Sequence, residues 1–186
     1  MNHSLQIQIQ RIPGAFDGKQ CFVHARMAAL DENKWIMTAQ KLNTAGCDLF
    51  EPLYISKTND GGATWSGFAP CPSFQKRDVG DGAVEVLCDA THLYHKQTGR
   101  AVLFGCAARY GKHDMKPISG IKRTPLYAVY DAAQGQYGPV KSIDVPQAEG
   151  VYCCYPSSSE CISDTNGELL IPVVVSRGPY CSTYAS

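Results

Sequence analysis

The chain has 186 residues, 44% of them hydrophobic, which is enough to bury the core of a single domain. Lysine plus arginine equals aspartate plus glutamate at 17 each, so the formal net charge is zero and there is no electrostatic case for nucleic acid or an anionic membrane surface as partner. No apolar run approaches membrane-spanning length.

Residues 1–10 alternate apolar and polar side chains and read as a strand; they lack the continuous apolar stretch of a secretory signal, and nothing else in the sequence assigns a compartment. The nine cysteines are odd in number, scattered and without a CxxC pair, and read as small buried hydrophobes in a reducing setting. The first strand–turn–strand unit runs through 24–30, a polar turn at 31–34, and 35–39. A further strand at 52–55 leads into Ser56-Lys57-Thr58-Asn59-Asp60-Gly61-Gly62-Ala63-Thr64-Trp65. Here Asp60 and the Thr58 hydroxyl suit bonding to turn amides, the two glycines supply positive φ where a hairpin reverses, and Trp65 returns as a large apolar anchor.

The plan recurs. A second unit covers 89–95, the turn 96–100, and 101–105, followed by an outer pair at 126–130 and 140–143 around the turn 131–137. A third covers 158–163, the turn 164–167, and 168–173, with no outer pair after it. The second strands of the units begin about 66 residues apart, which predicts a repeat fold. Helix is almost absent, with a single possible turn at 40–45.

The segment 58–65 has the form Thr-x-Asp-x-Gly-x-Thr-Trp directly after a strand, and it resembles the Asp-box of the sialidase-like β-propellers. The turn 131–137 resembles a degraded copy, with Tyr137 in place of the tryptophan. Three more segments carry the likeness: His24-Ala25-Arg26 as an arginine-bearing inner strand, 46–53 as an aspartate-bearing loop, and Asn166-Gly167-Glu168-Leu169-Leu170-Ile171-Pro172-Val173 as a strand of a later blade. The resemblance implies an all-β partial β-propeller. It would hold about two and a half four-stranded antiparallel blades of a six-bladed ring, with blade 1 about 20–72, blade 2 about 84–146 and an incomplete blade 3 about 150–186. Such a stack leaves a sheet edge and a blade face open, so the chain is expected to be a piece of a longer protein, its open edge covered by the rest of the propeller or by self-association.

The resemblance further implies an exo-α-sialidase-like glycoside hydrolase acting on an acidic sugar, with no cofactor. Non-catalytic sugar binding and a purely structural module are the alternatives. A guanidinium fork matches a sugar carboxylate, which makes Arg26 the first substrate-binding candidate and Arg177 a second. Asp48, in the loop before the Asp-box strand, is the candidate acid, and Glu160 a second catalytic carboxylate. Asp89 lies at the mouth of the second repeat, where it would line the central funnel or cap a strand end. The tyrosine nucleophile of that chemistry belongs to a late blade and has no counterpart assigned here. No metal site is expected: His92 and His95, near Cys88, are three apart on a strand and would face opposite sides.

Overall fold

The computed structural model describes residues 9–12, 16–46, 49–118, 124–144, 153–156, 161–178 and 181–185, with backbone alone for 153–156, 175–178 and 181–185. The described chain is all-β and every strand pairing in it is antiparallel. Sheet one orders β1 (Gln20–Ala29), β2 (Trp35–Asn43), β3 (Phe50–Thr58) and β4 (Ala69–Pro70) consecutively. Residues 40–43, a possible helical turn in the sequence, continue β2, because Gln40 and Leu42 pair with both neighbouring strands, in register with β1 and across a register shift against β3.

Sheet two runs β10-β8-β7-β6-β5, with β9 paired to β8. Its members are β5 (Arg77–Gly80), β6 (Ala83–His95), β7 (Arg100–Gly111), β8 (Pro125–Asp131), β9 (Gln136–Tyr137) and β10 (Lys141–Ser142). The strand β5 pairs along the free side of β6, so β6 is not an edge strand, unlike β1 in sheet one. The third sheet orders β11 (Cys153–Pro156), β14 (Val173–Gly178) and β15 (Cys181–Ala185), with β12 (Ile162–Ser163) and β13 (Leu169–Leu170) as a separate hairpin. After residue 173 the chain adds one further strand, β15, which pairs along β14.

Sheet two is covered on both faces, which explains why β7 is apolar almost throughout. Side chains alternate along a strand, so Leu103 faces one way and Val102 and Phe104 the other. Leu103 joins Leu87, Leu126 and Ala128 against Ile36, Leu53 and Ile55 of sheet one. Val102 and Phe104 pack with Cys161, Leu169 and Ile171. Polar contacts cross the same boundaries: the buried Gln40 amide donates to the Leu87 carbonyl at 2.8 Å, and a His95 ring nitrogen lies 2.9 Å from the Gly167 carbonyl oxygen.

The Asp60 turn is built as its residue types predict. The Thr58 hydroxyl donates to Asp60 Oδ1 at 2.6 Å and accepts from the Gly62 amide at 3.1 Å, while the Thr64 amide and hydroxyl donate to the two Asp60 oxygens at 2.9 and 2.6 Å. Gly62 has φ +90°, and a Cβ there would stand 3.0 Å from the Trp35 ring. The turn after β8 copies the device in simpler form, with Asp131 Oδ1 accepting from the amides of Ala133 and Gln134. The Lys57 ammonium donates to the Gly135 carbonyl, tying the two turns together at one end of the sheets. The aromatic anchors differ from expectation. Trp65 is half-buried and outside the core clusters, whereas Tyr137 is 2% exposed and central to one.

The hydrogen bonds from Thr58 and Thr64 hold the Asp60 carboxyl down to about 2. A carboxyl depressed in the folded state stabilises above its unfolded pKa near 4, and that contribution is lost as pH falls through about 2. Thermal melts should therefore give Asp60→Asn a lower midpoint than the parent at neutral pH, with the gap closing between pH 4 and 2. A gap independent of pH would assign the effect to geometry rather than charge.

Candidate functional site

Strands β1 and β6 carry the same irregularity. The β1–β2 register shifts between Val23 and Arg26, and the β6–β7 register shifts between Cys88 and Thr91. Each gap holds a non-glycine residue in the left-handed region, His24 at φ +52° and Asp89 at φ +51°. Asp and His are among the residue types that tolerate this region best, and strained positions of this kind cluster at functional sites. Gly105 faces the second bulge, and a Cβ on it would lie 2.8 Å from the Cys88 carbonyl oxygen. The small residue opposite is therefore a steric requirement of the bulge.

The bulges change where side chains point. Consecutive residues on a regular strand face opposite sides. Across the bulge, Cys88 Sγ and Asp89 Oδ2 instead converge to 3.7 Å. Cys106, the direct cross-strand partner of Cys88, brings its Sγ to 3.6 Å from Cys88 Sγ and 3.9 Å from Asp89 Oδ2. Both thiols are fully buried, and Asp89 keeps 28% of its side chain exposed. His24, in the matching bulge of β1, places Nδ1 3.7 Å from Asp89 Oδ1, so the two bulges meet across the sheet boundary. The His24 ring also leans on Phe50, with centroids 5.6 Å apart.

Arg26 follows on β1, opposite Thr38, and is half-buried. Its guanidinium donates to the neighbouring Ala25 carbonyl at 3.1 Å, and no carboxylate among the described residues pairs with it. Behind it lies a buried polar pair. The Tyr137 hydroxyl and His92 Nε2 share a hydrogen bond at 2.6 Å, and Nδ1 of His92 faces the Arg26 backbone without closing a well-formed hydrogen bond. Burial lowers the His92 ring to about 3 and raises the Tyr137 phenol well above its usual value. The pair is thus neutral over the whole physiological range.

His92 and His95 go to different partners, Tyr137 for the first and Thr98 and Gly167 for the second. Asp48 and Glu160 lie outside the described residues, as do residues 1–8 of the strand expected over 1–10, of which the described residues 9 and 10 are not in a strand; Arg177 is described for backbone alone, within β14. The connection carrying Asp48 leaves β2 and enters β3 at the end opposite the Asp60 turn, because Asn43 and Phe50 close one end of that pair and Trp35 and Thr58 the other. Of the expected site residues, the described side chains are Arg26 and Asp89. Asp89 engages His24 and the two thiols rather than Arg26.

Sequence reasoning missed Cys88, Cys106 and His24 as a group with Asp89, because strand alternation assigns Cys88 and Asp89 to opposite faces. Gly105, a glycine inside an apolar strand, was the available signal of a bulge. It also missed Glu85, which is buried between the guanidinium groups of Arg77 and Arg109, the latter at 3.1 Å, beside a cleft of about 310 Å³ lined in part by Ser73 and Gln75. Of the five cysteines with described side chains, four are buried, as expected of small hydrophobes, and no disulfide joins any two of them.

A scan against protein-family models and a search of curated proteins each find no match to this chain.

Proposed function

We propose that the chain forms the opening blades of a sialidase-like β-propeller and acts within an exo-α-sialidase-like glycoside hydrolase on terminal sialic acid or a related acidic sugar. The observation that carries the reading is Arg26. It is a half-buried guanidinium on the innermost strand, its charge not matched by a carboxylate among the described residues, beside a strained bulge. A guanidinium so placed suits a carboxylate ligand, which it binds through paired N–H donors. The Asp60 turn and its simpler copy at Asp131, both joining outer strands, support the propeller. In this reading Asp48 is the acid that protonates the leaving oxygen, Glu160 a second carboxylate, and Arg177 and Asp89 line the sugar site. The partner is a glycan, with no cofactor, nucleic acid or membrane involved.

Calorimetric titration with N-acetylneuraminic acid tests the role of Arg26. Arg26→Ala should weaken binding roughly 10- to 100-fold, the scale of a charge-assisted hydrogen-bonded contact, while Arg26→Lys recovers part of it. Equal affinity of parent and Arg26→Ala would remove Arg26 from the site. Release of the aglycone from a fluorogenic sialoside then separates the hydrolase from the alternative, a non-catalytic carbohydrate-binding or structural propeller, which would give no turnover.

A further inference from the structure

Beyond the sugar reading, with which it shares Asp89, stands the set Cys88, Asp89 and Cys106, whose ligand-type atoms all lie within 4.8 Å of one another. We propose that these residues form a transition-metal site, with Zn²⁺ the best-matched ion. The argument is geometric. A tetrahedral zinc ion with Zn–S near ~2.3 Å and Zn–O near ~2.0 Å sets its sulfurs about 3.8 Å apart and each sulfur about 3.5 Å from the oxygen. The three edges here are 3.6 Å between the sulfurs and 3.7 and 3.9 Å from sulfur to Asp89 Oδ2. Each agrees with one face of that tetrahedron to within a few tenths of an ångström.

The chain arrives at this triangle by two independent devices. The left-handed backbone at Asp89 turns its carboxylate to the side of Cys88, and the cross-strand register sets Cys106 opposite Cys88. The strained backbone at Asp89 therefore has a consequence that a regular strand would lack. Two soft thiolates favour zinc or another thiophilic ion over magnesium or calcium, which prefer all-oxygen shells. Coordination exchanges the two thiol protons for the ion: one Zn²⁺ binds, two S–H bonds break, and two protons leave to solvent. His24, beside the second Asp89 oxygen, is placed to orient the carboxylate ligand from outside. Three protein ligands leave the fourth tetrahedral position for water or a ligand group, on the side where Asp89 is partly exposed.

The site shares Asp89 with the sugar reading, and its test reads the metal directly with no sugar present. The reduced full chain is titrated with Co²⁺ and followed by its thiolate-to-cobalt charge-transfer absorption, then back-titrated with Zn²⁺. The expected result is saturation at one ion per chain, displacement by zinc, and a higher melting midpoint with zinc that a chelator reverses. Cys88→Ser and Cys106→Ser should each lose at least half of the band intensity and bind at least tenfold more weakly. Asp89→Asn, which keeps the side-chain shape, should retain the band with weaker affinity. Cys161→Ser, a buried thiol elsewhere, should match the parent. No charge-transfer band in the reduced parent, or an unchanged band and affinity in Cys88→Ser, would overturn the proposal. If a serine variant fails to fold, Asp89→Asn decides it: affinity equal to the parent's removes the carboxylate and with it the site.

Discussion

Replacing Tyr137 with alanine is expected to destabilise the protein by about 3–5 kcal/mol, the scale for emptying a buried aromatic site. Tyr137 is 2% exposed and packs edge-on against Tyr130 at 5.2 Å and against Phe74 at 5.1 Å. Removing it opens a cavity in the cluster that joins sheets one and two, and also deprives His92 Nε2 of its hydrogen-bond partner. Both losses act in the same direction. Tyr137→Phe separates them: it keeps the ring and deletes the hydroxyl, so it should cost about 1–2 kcal/mol. The corresponding change at the first turn, Trp65→Ala, should cost less than Tyr137→Ala because Trp65 is half-exposed and outside the core clusters. Chemical denaturation of the three variants measures this ordering. A larger loss at Trp65 than at Tyr137 would contradict it.

Acid should weaken the fold well before its carboxylates titrate. Burial lowers the His92 ring to about 3 in the folded state, against about 6.5 when unfolded. Between these values the unfolded chain binds the extra proton and the folded chain does not, so stability falls as pH drops from about 6.5 towards 3. The ring nitrogens are enclosed while the residue keeps some solvent contact, which scales the loss to on the order of 3 kcal/mol. His92→Gln keeps a hydrogen-bond acceptor for Tyr137 and removes the titration. Its stability should be nearly flat over that window, apart from the carboxylate contributions below pH 4. Parallel urea melts from pH 7 to pH 3 would show the two profiles converging in acid. Parallel profiles would place the acid sensitivity elsewhere.

The strand–turn–strand rhythm was legible because it rests on local chemistry. Polar turns at 31–34 and 96–100 fall between apolar runs, and Asp60, Thr58 and Thr64 form their turn with bonds that the residue types alone suggest. Even the degraded copy at Asp131 was readable, because an aspartate and a glycine suffice for its turn. Long-range consequences were not. Trp65 and Tyr137 occupy matching places, yet one lies at the rim and the other in the core, since burial depends on which sheet has neighbours on both faces. The Tyr137–His92 pair spans 45 residues, and no local pattern links them. The candidate site suffered most. Period-two alternation predicts where side chains point on a regular strand and fails at a bulge, and β1 and β6 are both bulged where the polar groups lie.

The central proposal is that Arg26, beside the bulge of β1, binds the carboxylate of an acidic sugar. Titrating the isotope-labelled protein with N-acetylneuraminic acid and following backbone amide shifts tests it most directly. The account predicts concentration-dependent shifts at residues 24–26 and 88–91, abolished in Arg26→Ala and absent with a neutral sugar such as galactose. Shifts confined to the Asp60 and Asp131 turns, or equal responses to the acidic and neutral sugars, would contradict it.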